Sequence, residues 1–150
     1  MLTLTPITSE NWRSAVFLST DPEHKAPLDE EWITSNAFSM LQAIYDPAWT
    51  CRLILDDDKP VGFVFFGIWE EKRAPLFCRY MIDAEEQGKG YGTQALPLVL
   101  EEMYQLYGKQ EIFLTLESAN TRAVHLYEKF GFRPTGEVFE DETIYSLPSP

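Results

Sequence analysis

The chain has 150 residues, of which 24 are acidic and 12 are basic, and 45% of its residues are hydrophobic. That length suits one domain over residues 1–150, and the hydrophobic fraction excludes an acidic disordered chain with little to bury. The net charge of −12 argues against nucleic acid and anionic membranes as partners, because their phosphates attract Lys and Arg. It would favour a cationic small molecule, although acidity that only aids solubility is the alternative.

The first half of the chain predicts two helices among strands. Residues 2–7 alternate apolar and polar, as a half-buried strand does. A first helix is expected after the caps Thr8 or Ser9, with apolar residues at Trp12, Ala15, Val16 and Phe17. A second is expected after Ser35 or Asn36, with apolar residues at Ala37, Met40, Leu41 and Ile44. Strands follow at residues 50–55, 61–69 and 75–82.

The second half changes to the period of helices. One helix carries Leu96, Val99, Leu100, Met103 and Tyr107, is interrupted by Pro97 and stops at Gly108. After a strand at residues 111–116, Asn120 or Thr121 caps a helix with a stripe of Ala123, Leu126, Tyr127 and Phe130. Strands at residues 132–138 and 143–147 complete the chain. The order β-α-α-β-β-β-α-β-α-β-β predicts an α+β domain around one sheet.

The strongest chemical signal is the run Gln-Gly-Lys-Gly-Tyr-Gly at residues 87–92, between a predicted strand and a predicted helix. Glycines permit close backbone approach, and N–H groups at a helix start bind phosphate. A Walker A loop is excluded because Gly-Lys-Ser/Thr is missing. A dinucleotide fingerprint matches Gly90, Gly92 and Ala95, but it belongs to the first strand of a longer βαβ array. A turn without a ligand is the third interpretation.

A second motif changes the balance among these interpretations. Asn120, Ala123, Tyr127, Gly131 and Phe132 follow the pattern N-x-x-A-x-x-x-Y-x-x-x-G-F. Gln87, Gly90 and Gly92 follow Q/R-x-x-G-x-G/A. Together the motifs resemble the GCN5-related N-acetyltransferase (GNAT) superfamily over nearly the whole chain. The resemblance implies the GNAT fold, a mixed, mostly antiparallel sheet of about seven strands with splayed central strands and about four flanking helices.

The resemblance also implies a cosubstrate, acetyl-CoA, and its contacts. Its pyrophosphate would be bound by Gln87, Gly88, Lys89, Gly90, Tyr91, Gly92 and Thr93. Backbone groups of Tyr80, Met81 and Ile82 would pair with the pantetheine and polarise the thioester, and Asn120 and Lys129 are further candidates. Tyr127 would protonate the departing thiolate, the alternative being a core tyrosine.

The acceptor implied by the resemblance is a small amine, in particular a polyamine or diamine such as spermidine or spermine. Residues 60–64 and 77–92 resemble bacterial enzymes that acetylate such amines. The candidates for amine binding are Asp29, Glu30, Glu31 and Glu117, and the first three could equally be a solvated helix entry. A base is left open among Glu117, Glu70 and Glu71. Other amines, or a non-catalytic acetyl-CoA-binding module, are the alternatives.

The cysteines and histidines predict no metal site. Cys51 and Cys78 lie in apolar strands without ligand spacing, and His24 and His125 have no companions at useful spacing. The N-terminal residues do not resemble a signal peptide, and no apolar run has the length of a membrane span. These features predict a cytoplasmic protein, and the family resemblance raises the possibility of a homodimer.

Overall fold

The computed structural model describes residues 1–23 and 35–150, which form seven strands and four α-helices. The strands are β1 (Leu2–Pro6), β2 (Trp49–Asp56), β3 (Lys59–Trp69), β4 (Ala74–Ile82), β5 (Ile112–Leu116), β6 (Arg133–Phe139) and β7 (Glu142–Leu147). The helices are α1 (Trp12–Phe17), α2 (Asn36–Tyr45), α3 (Tyr91–Tyr107) and α4 (Thr121–Lys129). A short 3₁₀ helix at Ala84–Glu86 precedes α3. The element order confirms the predicted α+β fold.

The strands form one mixed sheet in the order β1-β2-β3-β4-β5-β7-β6. The pairs β1–β2, β5–β7 and β6–β7 are antiparallel, whereas β4 and β5 are parallel. The β5–β7 register runs from Ile112 opposite Leu147 to Leu116 opposite Thr143. The β4–β5 register instead rests on Leu76 and Phe113.

The chain groups into two compact units. One comprises Met1–Phe66 and Arg79–Glu101, and the other Gly67–Cys78 and Glu102–Pro150. Within the first unit, Ile54, Val61 and Ala95 form a buried apolar cluster. In the second unit, the buried residues include Ile112, Leu114, Phe132 and Ile144. The single domain expected for residues 1–150 stays a prediction.

Helix α1 differs from its predicted form at both its cap and its apolar face. The N-cap position belongs to Asn11, whose Oδ1 accepts a hydrogen bond from the Thr8 N–H at 2.8 Å. Ala15 is buried, but Trp12 is 41% and Phe17 is 80% exposed. Two of the apolar residues expected on this helix, Trp12 and Phe17, therefore lie largely in solvent, because a helix of 6 residues completes less than two turns and directs few side chains inward.

Helix α2 is capped as predicted but presents a different face to the core. The Ser35 side chain accepts a hydrogen bond from the Phe38 N–H at 3.2 Å, which confirms Ser35 as the cap. The buried residues are Asn36, Ser39 and Met40. Leu41 and Ile44, two of the apolar residues expected on this helix, are 55% and 71% exposed. The inward face is therefore the i, i+3, i+4 set that starts at Asn36, whose Nδ2 donates to the Ala15 carbonyl at 2.8 Å.

Helices α3 and α4 end and begin near the predicted residues. Since α3 starts at Tyr91, Pro97 lies in its second turn and offers no N–H to the Thr93 carbonyl. The helix stops directly before Gly108, as predicted. Asn120 caps α4 by accepting a hydrogen bond from the Ala123 N–H at 3.3 Å. The glycine-rich motif therefore leads into the start of α3, and the second motif begins at the N-cap of α4.

Candidate functional site

The glycine-rich turn leads directly into helix α3. Gly88 and Gly90 have φ values of +79° and +84°, a region that residues with a Cβ rarely adopt. The Gly90 carbonyl accepts the N–H of Gln94 at 3.0 Å, which opens the helix. An α-helix leaves its first N–H groups without intrahelical acceptors, and Tyr91, Gly92 and Thr93 occupy these positions. Such donors, aligned with the helix dipole, suit a phosphate.

Strand β4 anchors this turn through a partly buried tyrosine, Tyr80. The Tyr80 hydroxyl donates to the Gly92 carbonyl at 2.6 Å. Burial raises the pKa of Tyr80, so the hydroxyl stays a donor. In the same way, Gln87 Nε2 donates to the Ile82 carbonyl at 3.0 Å. The structure therefore brings together Tyr80, Ile82, Gln87 and Gly92 from the predicted cofactor set, through side chains as well as backbone.

Strand β2 supplies a second anchor at the first residue of α3. The Tyr91 hydroxyl donates to Asp56 Oδ2 at 2.6 Å. That hydrogen bond to a carboxylate raises the pKa of Tyr91 to about 12, and it is the main reason that the pKa of Asp56 is lowered. The Met1 amino group also donates to Asp56 Oδ1 at 3.2 Å. The start of α3 is thus hydrogen-bonded to side chains of both β2 and β4.

A third anchor is the carboxylate of Glu86, directly before the turn. Its side chain is only 5% exposed, and it pairs with Lys59 at the start of β3 and with Lys89 in the turn. Lys89 Nζ lies 2.9 Å from Glu86 Oε2. The hydrogen bond from Lys59, and then that from Lys89, lowers the pKa of Glu86. The predicted phosphate-binding Lys89 is therefore paired with an acid that the sequence did not single out.

Sequence reasoning missed Glu86 because nothing local distinguishes it from its neighbour Glu85. Glu85 is exposed, whereas Glu86 is buried. The partner that favours burial, Lys59, lies 27 residues earlier in the chain. The one usable signal was position, since Glu86 immediately precedes the Gln87 that opens the motif.

Tyr127 lies in the second compact unit, on the buried face of α4. Its ring meets Phe77 edge to face at 5.6 Å between ring centroids and Phe132 at 5.7 Å. The side chain is 7% exposed. Edge-to-face contacts on two sides define the ring orientation. This packing fits the core-tyrosine alternative and also a hydroxyl held for proton transfer.

The other predicted site residues of this unit lie at element ends. Asn120 is the N-cap of α4, and Lys129 is its last residue, where a positive charge complements the helix dipole. Glu117 follows β5 and is exposed, and its carbonyl accepts the Asn120 N–H at 3.0 Å. Structural roles thus account for Asn120 and Lys129, and their contacts with a ligand stay predictions.

The structure describes only some of the residues predicted to bind the acceptor amine. Asp29, Glu30 and Glu31 lie outside the described residues. On β4, Arg79 donates to Ser39 Oγ at 2.6 Å. Its guanidinium also lies 4.8 Å from the Phe65 ring centroid, which identifies a packing role.

The described part of the chain contains neither a metal-ligand cluster nor a membrane-spanning helix. Among residues 1–23 and 35–150, no three His, Cys, Asp or Glu side chains cluster in a way that could hold a metal ion. None of the helices described there combines the length and the apolar character needed to cross a membrane.

The seven-stranded mixed sheet and the glycine-rich turn that opens α3 are the fold and the motif that the sequence resemblance led us to expect. Residues 7–132 match the family described as "Acetyltransferase (GNAT) family". The chain belongs to this family, as the two motifs predicted.

Among its relatives is the spermine/spermidine N(1)-acetyltransferase of Bacillus subtilis (strain 168), 33% identical over 84 residues. The match covers 52% of this chain and 55% of that protein, so the chain spans about half the length of the curated relatives it matches. An acetyltransferase of Thermus thermophilus has a TM-score of 0.77 at 20% identity, covering 99% of this chain and 97% of the other. A spermidine N-acetyltransferase from Vibrio cholerae, in complex with CoA and spermine, has a TM-score of 0.73 at 23% identity, covering 99% and 95%. These structures support the fold assignment.

Proposed function

We propose that this protein transfers an acetyl group from acetyl-CoA to the nitrogen of a primary amine, with a polyamine or diamine such as spermidine or spermine as acceptor. The observation that carries the proposal is the glycine turn at residues 87–90, which has two residues of positive φ and opens α3 in a chain of the GNAT family. Such a turn is well suited to the pyrophosphate of CoA and needs no net positive charge.

The proposed transfer forms a carbon–nitrogen bond and breaks a carbon–sulfur bond. An alkyl ammonium group has a pKa of about 10.4, so the amine must first lose a proton to act as a nucleophile. The amine nitrogen then attacks the thioester carbonyl carbon, whose oxygen is polarised by a backbone N–H of β4. The sulfur leaves as a thiolate and takes the proton of the Tyr127 hydroxyl, which regains one when the new amide nitrogen loses its second proton, while the first proton passes to solvent. Glu117 is our first candidate to relay that proton through water.

The polyamine acceptor is supported by charge and by similarity. A net charge of −12 attracts cations that carry several charges. The names of several relatives specify spermine or spermidine as their substrates. The cytoplasmic location and the homodimer stay predictions.

The proposal is tested by release of free CoA from acetyl-CoA in the presence of spermidine, spermine, putrescine, aminoglycosides and amino acids. We expect turnover with at least one polyamine or diamine, and mass spectrometry should find the monoacetylated product. Turnover of aminoglycosides or amino acids alone would exclude the polyamine acceptor but retain the reaction. A thermal shift with acetyl-CoA, without turnover of any amine, would favour the non-catalytic binding module.

The role of the acidic surplus is tested separately by ionic strength. For a multivalent amine, we expect kcat/KM to fall steeply as salt is added, because screening weakens long-range attraction. A monoamine acceptor serves as the control and should respond weakly. Equal salt dependence for both would mean that the acidity only aids solubility.

A further inference from the structure

The carboxylate of Glu86 is the most enclosed acidic group among the described residues, and the proposed chemistry does not use it. The residue is 4% exposed, whereas the side chains of its partners Lys59 and Lys89 are 61% and 53% exposed. An ionised carboxylate that is removed from water is costly unless it is paired and hydrogen-bonded. Each oxygen of Glu86 accepts a hydrogen bond from one lysine, so both partners compensate this cost.

The cluster connects three segments that converge on the glycine turn. Lys59 is the first residue of β3, Glu86 ends the 3₁₀ helix, and Lys89 lies between the two turn glycines. The hydrogen bond from Lys89 therefore spans the position of Gln87 and restrains the turn where it leaves the 3₁₀ helix. Two ammonium groups on one carboxylate leave a net positive charge on the cluster. The arrangement holds a lysine at the glycine turn through contacts within the chain.

We infer that Glu86 is a positioning residue for cofactor binding, which acts through Lys89 and is supported by Lys59. It holds the Lys89 ammonium and the turn backbone in the geometry that receives the CoA phosphates. The inference rests on the proposed function, since it requires CoA to bind at this turn. Glu86 itself touches no reacting atom.

Substitution Glu86→Gln separates positioning from simple electrostatics, because the two predict opposite signs. Removing a negative charge beside a phosphate site would tighten binding of an anion if charge alone mattered. If Glu86 positions Lys89, the substitution should instead raise the Kd for CoA, measured by isothermal titration calorimetry, by about tenfold, since charge-assisted hydrogen bonds are lost. In turnover, KM for acetyl-CoA should rise more than kcat falls, and KM for the amine should not change.

The matched control is Glu85→Gln, which removes the same charge one residue away from an exposed position. Its Kd for CoA should stay within about twofold of wild type, as for other exposed charges. A Glu86→Gln variant that binds CoA as tightly as wild type, or more tightly, would overturn the positioning role and leave the proposed function intact. A wild-type protein that fails to bind CoA would overturn both.

A double-mutant cycle tests whether Glu86 acts through Lys89. If it does, Glu86→Gln should add little to the effect of Lys89→Gln, whereas independent roles would multiply to about a hundredfold loss of CoA affinity. A multiplicative loss would overturn the inference. If Glu86→Gln does not fold, Lys59→Gln leaves the carboxylate with one partner and should weaken CoA binding by about threefold. Unchanged or tighter binding in Lys59→Gln would contradict the supporting role of that residue.

Discussion

The two candidate regions, the glycine turn and Tyr127, are held in place by different physical interactions. The turn is anchored by directional polar contacts from Tyr80, Asp56 and Glu86. Tyr127 is held by edge-to-face packing against the rings of Phe77 and Phe132. Polar anchors respond to protonation and to changes of charge, whereas ring packing responds to changes of shape.

This difference teaches how each region can be tested without disturbing its support. Removing the hydroxyl of Tyr127 preserves the ring and therefore its packing. Changing the turn, in contrast, alters the backbone or the network that holds it. A substitution at Tyr127 should therefore affect activity and stability separately, whereas a substitution in the turn should change both together.

The largest effect is expected for Tyr127→Phe. We expect kcat to fall at least about a hundredfold, the range of a lost general acid, while the Kd for CoA stays near the wild-type value. The contacts with Phe77 and Phe132 remain, so the ring packing should be preserved and the variant should stay folded. Steady-state kinetics measures kcat, and denaturant unfolding tests whether the variant stays folded.

Tyr145→Phe is the matched control for that substitution, because Tyr145 is 5% exposed and Tyr127 is 7% exposed. It should leave kcat near wild type. If Tyr127→Phe turns over as fast as wild type, Tyr127 is a core tyrosine and the general acid lies elsewhere.

An intermediate effect is expected for Gly90→Ala. At φ +84° an added Cβ is strained, at a cost of about 1–2 kcal/mol in unfolding free energy. The distorted turn should also bind CoA about tenfold more weakly, since its N–H groups lose alignment. Denaturant unfolding and titration calorimetry measure the two effects.

Gly136→Ala provides the comparison in β6, because Gly136 has a φ of +88° and open space around an added Cβ. It should lower stability by a similar amount without changing the Kd for CoA. Wild-type CoA affinity in Gly90→Ala would show that the phosphates bind elsewhere.

The smallest effect concerns how the free energy of unfolding changes with pH in acidic solution. Since the pKa of Glu86 is lowered in the folded protein, its contribution is full at pH values above the ordinary range of glutamate, about 4.3, and is lost as pH falls further. Glu86→Gln should therefore be less stable than wild type at neutral pH, and the two unfolding free energies should converge in acid. Urea unfolding at a series of pH values measures this convergence.

Glu85→Gln is the comparison at a neighbouring position in the same series, since its side chain is exposed. A constant gap between wild type and Glu86→Gln from neutral to acidic pH would contradict a stabilising ionised Glu86.

The element order could be predicted because period and turn residues are local properties of the sequence. The faces of α1 and α2 could not, since they depend on a contact between helices. Asn36 faces inward where its amide meets the Ala15 carbonyl, and this rotates Leu41 and Ile44 outward. A pattern of apolar residues cannot reveal that a buried polar contact takes precedence.

The same distinction holds for the candidate site. The turn glycines and the Asn120 cap were predictable, because their roles depend on neighbours within a few residues. Glu86 with Lys59 and Tyr91 with Asp56 are pairs separated by 27 and 35 residues. Their significance follows from the pairing of strands that bring them together, which no short motif encodes.

The tyrosine anchors of the turn have a consequence for work in alkaline solution. A primary amine becomes a nucleophile in growing proportion as pH approaches its pKa of about 10.4. Free phenols lose their protons in the same range, which would remove any hydrogen bond that they donate. Because the pKa values of Tyr80 and Tyr91 are both raised, the latter to about 12, these hydroxyls keep donating there. The glycine turn is therefore expected to keep both hydrogen bonds at the alkalinity where the proposed acceptor is most reactive.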